Sequence, residues 1–259
     1  MYKNKSIGVV VPAYNEEKFI AQVINTIPDY VDKIYVANDC STDKTAEIAS
    51  ELAKQNNRVI LINCQSNGGV GAAILTGHKQ ALKDNMDIIA VMAGDGQMDP
   101  TLLYSFLDPV AEGKTDYAKG NRLSNRRHKK EMPTWRSFGN SLLTNLTRIA
   151  SGYWKMSDPQ NGYTAISSEV LKKIDLNKIE KSFAFENDML VKLNVVGARV
   201  TDIPHAAIYR GQRSKIRYFK FTVRTSWILL RDFIWRIWVE YIIKNRHPIR
   251  RNDTVEQHL

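Results

Sequence analysis

Residues 93–100 read AGDGQMDP and follow directly on the apolar run 87–92 (DIIAVM), so a lone carboxylate, Asp95, appears where a strand ends. Carboxylate and carbonyl oxygens are the donors that magnesium and manganese take, and these ions need only one or two carboxylates where phosphate oxygens supply the other positions. Gln97 offers such a carbonyl, and Gly94 and Gly96 let the backbone approach a ligand closely. Asp and Gly also build ordinary turns, so both readings stand at this point. A second group is basic and runs from Lys119 and Arg122 through 126–130 (RRHKK) to Arg136. Guanidinium groups grip phosphates through paired hydrogen bonds, although most charge runs are solvated loops. Other chemistries find no support. His78, His205, Cys40 and Cys64 lack zinc-ligand spacing and read as structural. No nucleophilic Ser or Cys accompanies a placed histidine, and there is no Gly-Lys-Ser/Thr phosphate loop. The stretch 66–77 (SNGGVGAAILTG) fails the dinucleotide fingerprint, because Ile74 stands where Gly or Ala is needed and the run does not follow the first strand.

The elements that must position these residues are legible by period. Short β-branched runs at 7–11, 33–37, 58–63 and 87–92 have the length of buried strands. Between them 16–27, 42–55 and 70–83 carry apolar residues at helical spacing, so the chain predicts right-handed crossovers and a mostly parallel sheet covered on both faces. Ligands gather at the carboxyl ends of such strands. Polar stretches at 12–15, 38–41, 67–69 and 93–95 fall there. The 259 residues suit one large α/β domain with an appendage, 43% apolar content fills its core, and a net charge of +10 favours a phosphate-rich ligand, nucleic acid or an anionic membrane. No aromatic platform or nucleic-acid module accompanies the basic run, so nucleic acid is not expected. Two cysteines and an N-terminus without a signal-peptide pattern predict a cytoplasmic setting.

Eight motifs in series carry a resemblance. VVVPAYNEE (9–17), NDCSTDKT (38–45), NGGVGAA (67–73) and AGDGQMDP (93–100) resemble the nucleotide-sugar half of family 2 inverting glycosyltransferases of GT-A fold. KGNRL (119–123), SDPQNGYTAIS (157–167), FAFENDML (183–190) and YRGQRSKIRYF (209–219) are similar to the polyprenyl-phosphate branch, which includes dolichyl-phosphate mannose synthases. The resemblance spans 6–220 and implies an enzyme moving a sugar from a UDP or GDP sugar to a dolichyl or undecaprenyl phosphate in envelope-glycan or glycoprotein biosynthesis.

It also implies roles. Asp95 and Gln97 would hold magnesium or manganese, which neutralises charge growing on the leaving diphosphate; the family's usual Asp-x-Asp lacks its first acid here, where Ala93 stands. Pro12, Ala13, Tyr14, Glu16 and Asp39 would form the nucleoside pocket, with Asn67, Gly69, Gly71 and Gly94 shaping its wall. Packing explains the glycines equally well, and Glu16, Glu17 and Ser41 also suit a helix N-terminus. Arg122, Arg136 and Asn140 match positions contacting the acceptor phosphate. Asp158 would reach towards the sugar, with Gly162 permitting a tight path. Glu186 and Asp188 sit where other members place a general base, or are helix-surface carboxylates. Arg210, Ser214 and Lys215 match a late basic motif that closes over the diphosphate.

The stretch 218–243 is aromatic and apolar but interrupted by charges, with Asp232, Arg236, Glu240 and Lys244 recurring every four residues as a polar stripe. It predicts helices in the membrane interface, anchored by Trp227, Trp235, Trp238 and Tyr241 with a basic flank after them, or helices packed on the core or on a second copy. The expected layout is a glycosyltransferase domain over 1–217, amphipathic helices over 218–245 and a polar tail over 246–259, at the cytoplasmic face of the membrane. Two alternatives stay open: transfer to a saccharide hydroxyl with Asp188 as base, and a non-catalytic nucleotide-sugar sensor.

Overall fold

The computed structural model describes residues 1–124, 134–206 and 218–243, with the backbone alone for 124, 134–140 and 218–220. Strands β1 (Ile7–Ala13), β2 (Lys33–Asn38), β3 (Val59–Asn63) and β4 (Ile88–Val91) alternate with helices α1 (Ile20–Thr26), α2 (Thr45–Gln55) and α3 (Val70–Lys83). Then come α4 (Leu103–Ala111), β5 (Tyr117–Asn121), α5 (Thr134–Ser151), β6 (Thr164–Ser167), the short α6 (Ser168–Leu171), α7 (Phe185–Val195), β7 (Val200–Pro204) and α8 (Tyr218–Trp238), which runs into a π-helical turn, Val239–Ile243.

The seven strands form one sheet in the order β3-β2-β1-β4-β6-β5-β7. β6 runs antiparallel to its neighbours β4 and β5, while β5 and β7 are parallel to each other. Six strands therefore share one direction. Strand alternation divides the core between the two faces. Ile7, Val9, Val11, Ile34 and Val36 join α1, α2 and α4 on one side. Val10, Tyr35, Ile89 and Val91 join α3 and α7 on the other. Each fully buried aliphatic side chain in these layers stabilises by roughly 1.5–3 kcal/mol. The closest approach is at Gly77 of α3, where a Cβ would lie 2.3 Å from Val10 Cγ1.

Three features depart from expectation. β5, β6 and β7 extend a sheet of which the apolar runs reveal only the first four strands. β1 also continues two residues past 11, with Pro12 inside it: Gly94 N donates to Pro12 O beyond the end of β4, so the side that lacks an N–H meets no strand partner. Helix α1 begins at Ile20, with no acid in its first turn, so the helix-dipole reading of Glu16 and Glu17 falls away.

α8 packs on α5 and α7 with its polar stripe inward. Thr225, Asp232, Arg236 and Glu240 are buried, and Arg236 donates to the carbonyls of Ala150 (2.8 Å) and Ile149 (3.1 Å), satisfying the C-terminal end of α5. The outward stripe is apolar: Val223, Trp227 (69% exposed), Leu230, Ile234, Trp238 (49%) and Tyr241. No described helix is long and apolar enough to cross a membrane.

Candidate active site

One sheet edge collects the predicted residues. β1 to β4 end there, as do β5 and β7, which lead into Arg122 and His205. Because β6 runs the other way, its first residue Thr164 lies opposite both Val91 and Lys119. The stretch 158–163 therefore enters at the same edge as the Asp95 loop. Sequence reasoning brings the two halves together only through resemblance, whereas the reversed strand does so physically.

In the first half, the loops after β1 and β2 are laced together. Asn15, at φ +55, accepts from Thr42 N through Oδ1 (2.8 Å) and donates its own N–H to Ser41 Oγ (3.0 Å), and Glu16 N donates to Thr45 Oγ1 (2.8 Å). Ser41 thus serves this lacing instead of capping a helix, and α2 starts later, at Thr45. Asp39 is buried, and its carboxylate oxygens accept from Gly68 N and Gly69 N, 2.8 Å each, while Asn67 Nδ2 donates to Asp39 O (3.1 Å). The acid expected to meet the nucleoside therefore fastens the pocket wall, with lone pairs left for a ligand. Gly69 needs its freedom at φ +88. Gly71 is a packing glycine, since a Cβ would lie 2.8 Å from the Lys181 carbonyl and from Phe185 Cβ. Ala13 O accepts from Asp39 N (2.9 Å), and Tyr14 is exposed at the rim.

Asp95 forms an Asx turn, its Oδ1 accepting from Gln97 N (3.0 Å) around Gly96 at φ +72. Gly94 seats the loop on β1, donating to Pro12 O (3.1 Å) where a Cβ would lie 3.2 Å from that oxygen. Among the described residues no three His, Cys, Asp or Glu side chains gather as a metal cage. The donors at hand, the Asp95 carboxylate and Gln97, are oxygens and fit a hard divalent cation that draws its other ligands from phosphate.

The second half is held by buried charges. Asp158 accepts from Arg122 Nε (2.8 Å), Nη2 (3.1 Å) and backbone N (3.2 Å). Burial alone lifts its carboxyl, but the charge and hydrogen bonds of Arg122 outweigh burial and hold it below the usual range. Lys119, fully buried, donates to the Asn161 carbonyl and pairs with Glu186 Oε2 at 3.3 Å, where Tyr117 OH also donates (3.2 Å). Burial, then the nearby Glu186 carboxylate, push the Tyr117 hydroxyl well above its ordinary value. Gly162 lies between Glu186 and Met98, with 3.7 Å from its Cβ position to Glu186 Oε1 and 3.5 Å to Met98 Cε. Glu186 is thus buried in the floor, not on a helix surface.

Asp188, two residues on, has partners of its own. Also buried, it accepts from Glu180 N (2.7 Å), pairs with Lys192 (3.3 Å) and faces Asp232 of α8. Arg136 and Asn140 lie on the first turns of α5 with side chains outside the described residues; Arg210, Ser214 and Lys215 are outside them altogether. Lys119 and Asn161 lie inside motifs without a site role of their own, and His205 reads from the sequence as structural; the structure places all three at this edge. A lysine set between the small residues Ala118 and Gly120 offers at most a weak signal, since the strand that buries it is not legible and a buried lysine requires a partner.

Residues 8–175 match Glycosyl transferase family 2. The chain belongs to that family. This glycosyltransferase is 31% identical over 219 residues, 80% of its length and 87% of the relative's, to a UDP-N-acetylglucosamine–dolichyl-phosphate N-acetylglucosaminyltransferase of Methanococcus voltae. It is 30% identical to the polyprenol monophosphomannose synthase of Mycolicibacterium smegmatis, covering 76% of this chain and 75% of that one. Its fold is GT-A-like: glucosyl-3-phosphoglycerate synthase of Mycobacterium tuberculosis, solved with Mn2+, UDP and phosphoglyceric acid, superposes with a TM-score of 0.64 at 18% identity, over 90% of this chain and 78% of that one.

Proposed function

We propose that this glycosyltransferase moves a sugar, with inversion, from a nucleoside diphosphate to a polyprenyl phosphate at a membrane surface. The observation that carries the reading is the convergence of the Asp95 loop and the Arg122–Asp158 pair on one sheet edge. The matched relatives whose names specify a dolichyl or polyprenol acceptor support it. In this reading the laced loops after β1 and β2 hold the nucleoside, and Asp158 fixes the Arg122 guanidinium so that it can align the acceptor phosphate for attack on the anomeric carbon. A phosphate monoester is already ionised near neutral pH, so no general base is needed. That suits a site whose carboxylates are engaged: Glu186 with Lys119, Asp188 with Lys192. It disfavours a saccharide hydroxyl acceptor with Asp188 as base. A divalent cation at Asp95 and Gln97, such as the manganese in the solved synthase, would neutralise the departing diphosphate.

The test is a panel of UDP and GDP sugars with membranes, with and without manganese. A chloroform-soluble, acid-labile sugar phosphate is expected, and a water-soluble glycoside would overturn the acceptor. Asp95→Asn is expected to abolish transfer while sparing nucleotide binding; if transfer survives, the assignment of Asp95 fails, and if the wild-type chain binds donor but transfers nothing, the sensor reading wins.

A further inference from the structure

Behind the Arg122–Asp158 pair lies a histidine in a fitted notch. His205 is the first residue after β7, and its N–H donates to Asn121 O at the end of β5 (3.2 Å). Its ring occupies space that Gly120 leaves open, where a Cβ would lie 2.6 Å from Nε2 and 2.8 Å from Asn161 Nδ2. Phe106 of α4 and Tyr163 stand edge-on to it, with centroids at 5.9 and 5.7 Å.

The hydrogen bonds decide the state of this ring. Tyr163 N donates to Asn161 Oδ1 (2.9 Å), and a backbone N–H can only donate, so the orientation of the Asn161 amide is fixed. Its NH2 group then faces Nε2 at 2.7 Å, which makes Nε2 the acceptor. The ring proton accordingly sits on Nδ1, 3.1 Å from the Ala206 carbonyl. The same NH2 group also donates to Asp158 Oδ2 (3.4 Å). Neutral His205, Asn161, Asp158 and Arg122 thus form one chain of hydrogen bonds ending at the guanidinium.

We propose that His205 is a positioning residue for transfer, holding the Asn161 amide so that Asp158 keeps Arg122 aimed at the acceptor phosphate. This rests on the reading of Arg122 given above. A proton on Nε2 would set an N–H against the NH2 group, forcing Asn161 to give up Tyr163 N or Asp158. The charged groups facing the ring are Arg122, Lys119 of β5 and Asp158. Burial favours the neutral ring most, Arg122 and Lys119 also favour it, and the Ala206 carbonyl and Asp158 oppose them; the net shift is downward.

Binding of farnesyl phosphate, a short polyprenyl phosphate, tests the inference alongside nucleotide binding and thermal stability. His205→Phe is expected to weaken farnesyl phosphate roughly tenfold, the scale of one lost hydrogen bond in a coupled network, with nucleotide affinity unchanged. His205→Gln, which keeps an acceptor for Asn161, is expected to restore binding and to lose less affinity than the wild-type chain as pH falls below the usual imidazole range, the remaining loss coming from protonation of the phosphate itself. In an Arg122→Ala background His205→Phe is expected to add nothing further. The inference is overturned if His205→Phe binds like wild type, if nucleotide and farnesyl phosphate weaken together in both His205 variants, or if the two losses add. Failure of the wild-type chain to bind farnesyl phosphate overturns the acceptor reading itself and this inference with it, whereas tight wild-type binding with an additive cycle removes only the relay.

Discussion

Lys119 places a full charge where the sheet is dry, and Glu186 and the Asn161 carbonyl are what make that tolerable. Removing one member of a buried pair strands the other, at a typical loss of roughly 3–5 kcal/mol. Lys119→Met is therefore expected to lower the denaturation midpoint sharply, and adding Glu186→Gln to recover much of it, as urea titration of both variants will show. Equal destabilisation by the single and double variants would mean that the pair is not the cause. At this scale the sequence revealed the residues of the motif loops, Asp95, Arg122 and Asp158, because their types and neighbours are unusual. It hid partnerships. Glu186 lies 67 positions from Lys119 and Arg122 lies 36 from Asp158, and no local pattern encodes either distance. Asp39 shows the same limit: its type suits a ligand, yet two backbone amides occupy its carboxylate.

Among the elements, three βα repeats and the fourth strand were legible because buried parallel strands are continuous apolar runs. β5 was not, because Tyr117-Ala118-Lys119-Gly120-Asn121 carries a charge and a glycine, and β6 is only four residues long. β7 contains a second hidden acid. Asp202 lies opposite Lys119, its Oδ2 accepts from Ser157 N (2.8 Å) and Asn121 Nδ2 (3.2 Å), and its Oδ1 meets no hydrogen-bond partner among the described residues. Burial chiefly, and Asp158 in part, push its carboxyl up to about 6. A raised carboxyl holds its proton in the folded chain after the unfolded chain has lost it, so stability falls as pH rises from about 4 to 6 and the full penalty persists above that window. Asp202→Asn keeps an acceptor for Ser157 without the charge. It is expected to stabilise the protein by about 2–3 kcal/mol at neutral pH and by little near pH 4, read as the difference between two melting curves. A constant difference across that range would refute the assignment.

For the whole molecule, the sequence showed that 218–243 has two faces but not which one turns inward. Spacing gives a stripe and its period; only the polar groups at the end of α5 that need Arg236 decide the orientation. An outward row of Trp227, Ile234 and Trp238, followed by the basic residues Lys244, Arg246, Arg250 and Arg251, suits an anionic bilayer. Co-sedimentation with phosphatidylglycerol vesicles is expected to fall at least tenfold for Trp227→Ser with Trp238→Ser, and unchanged pelleting would argue that this face meets something else. The inverted helix also bears on handling. Stripped of amphiphiles, the chain leaves a row of indoles and aliphatics in water, so turbidity should grow with protein concentration until a mild detergent approaches its micellar threshold and clears it.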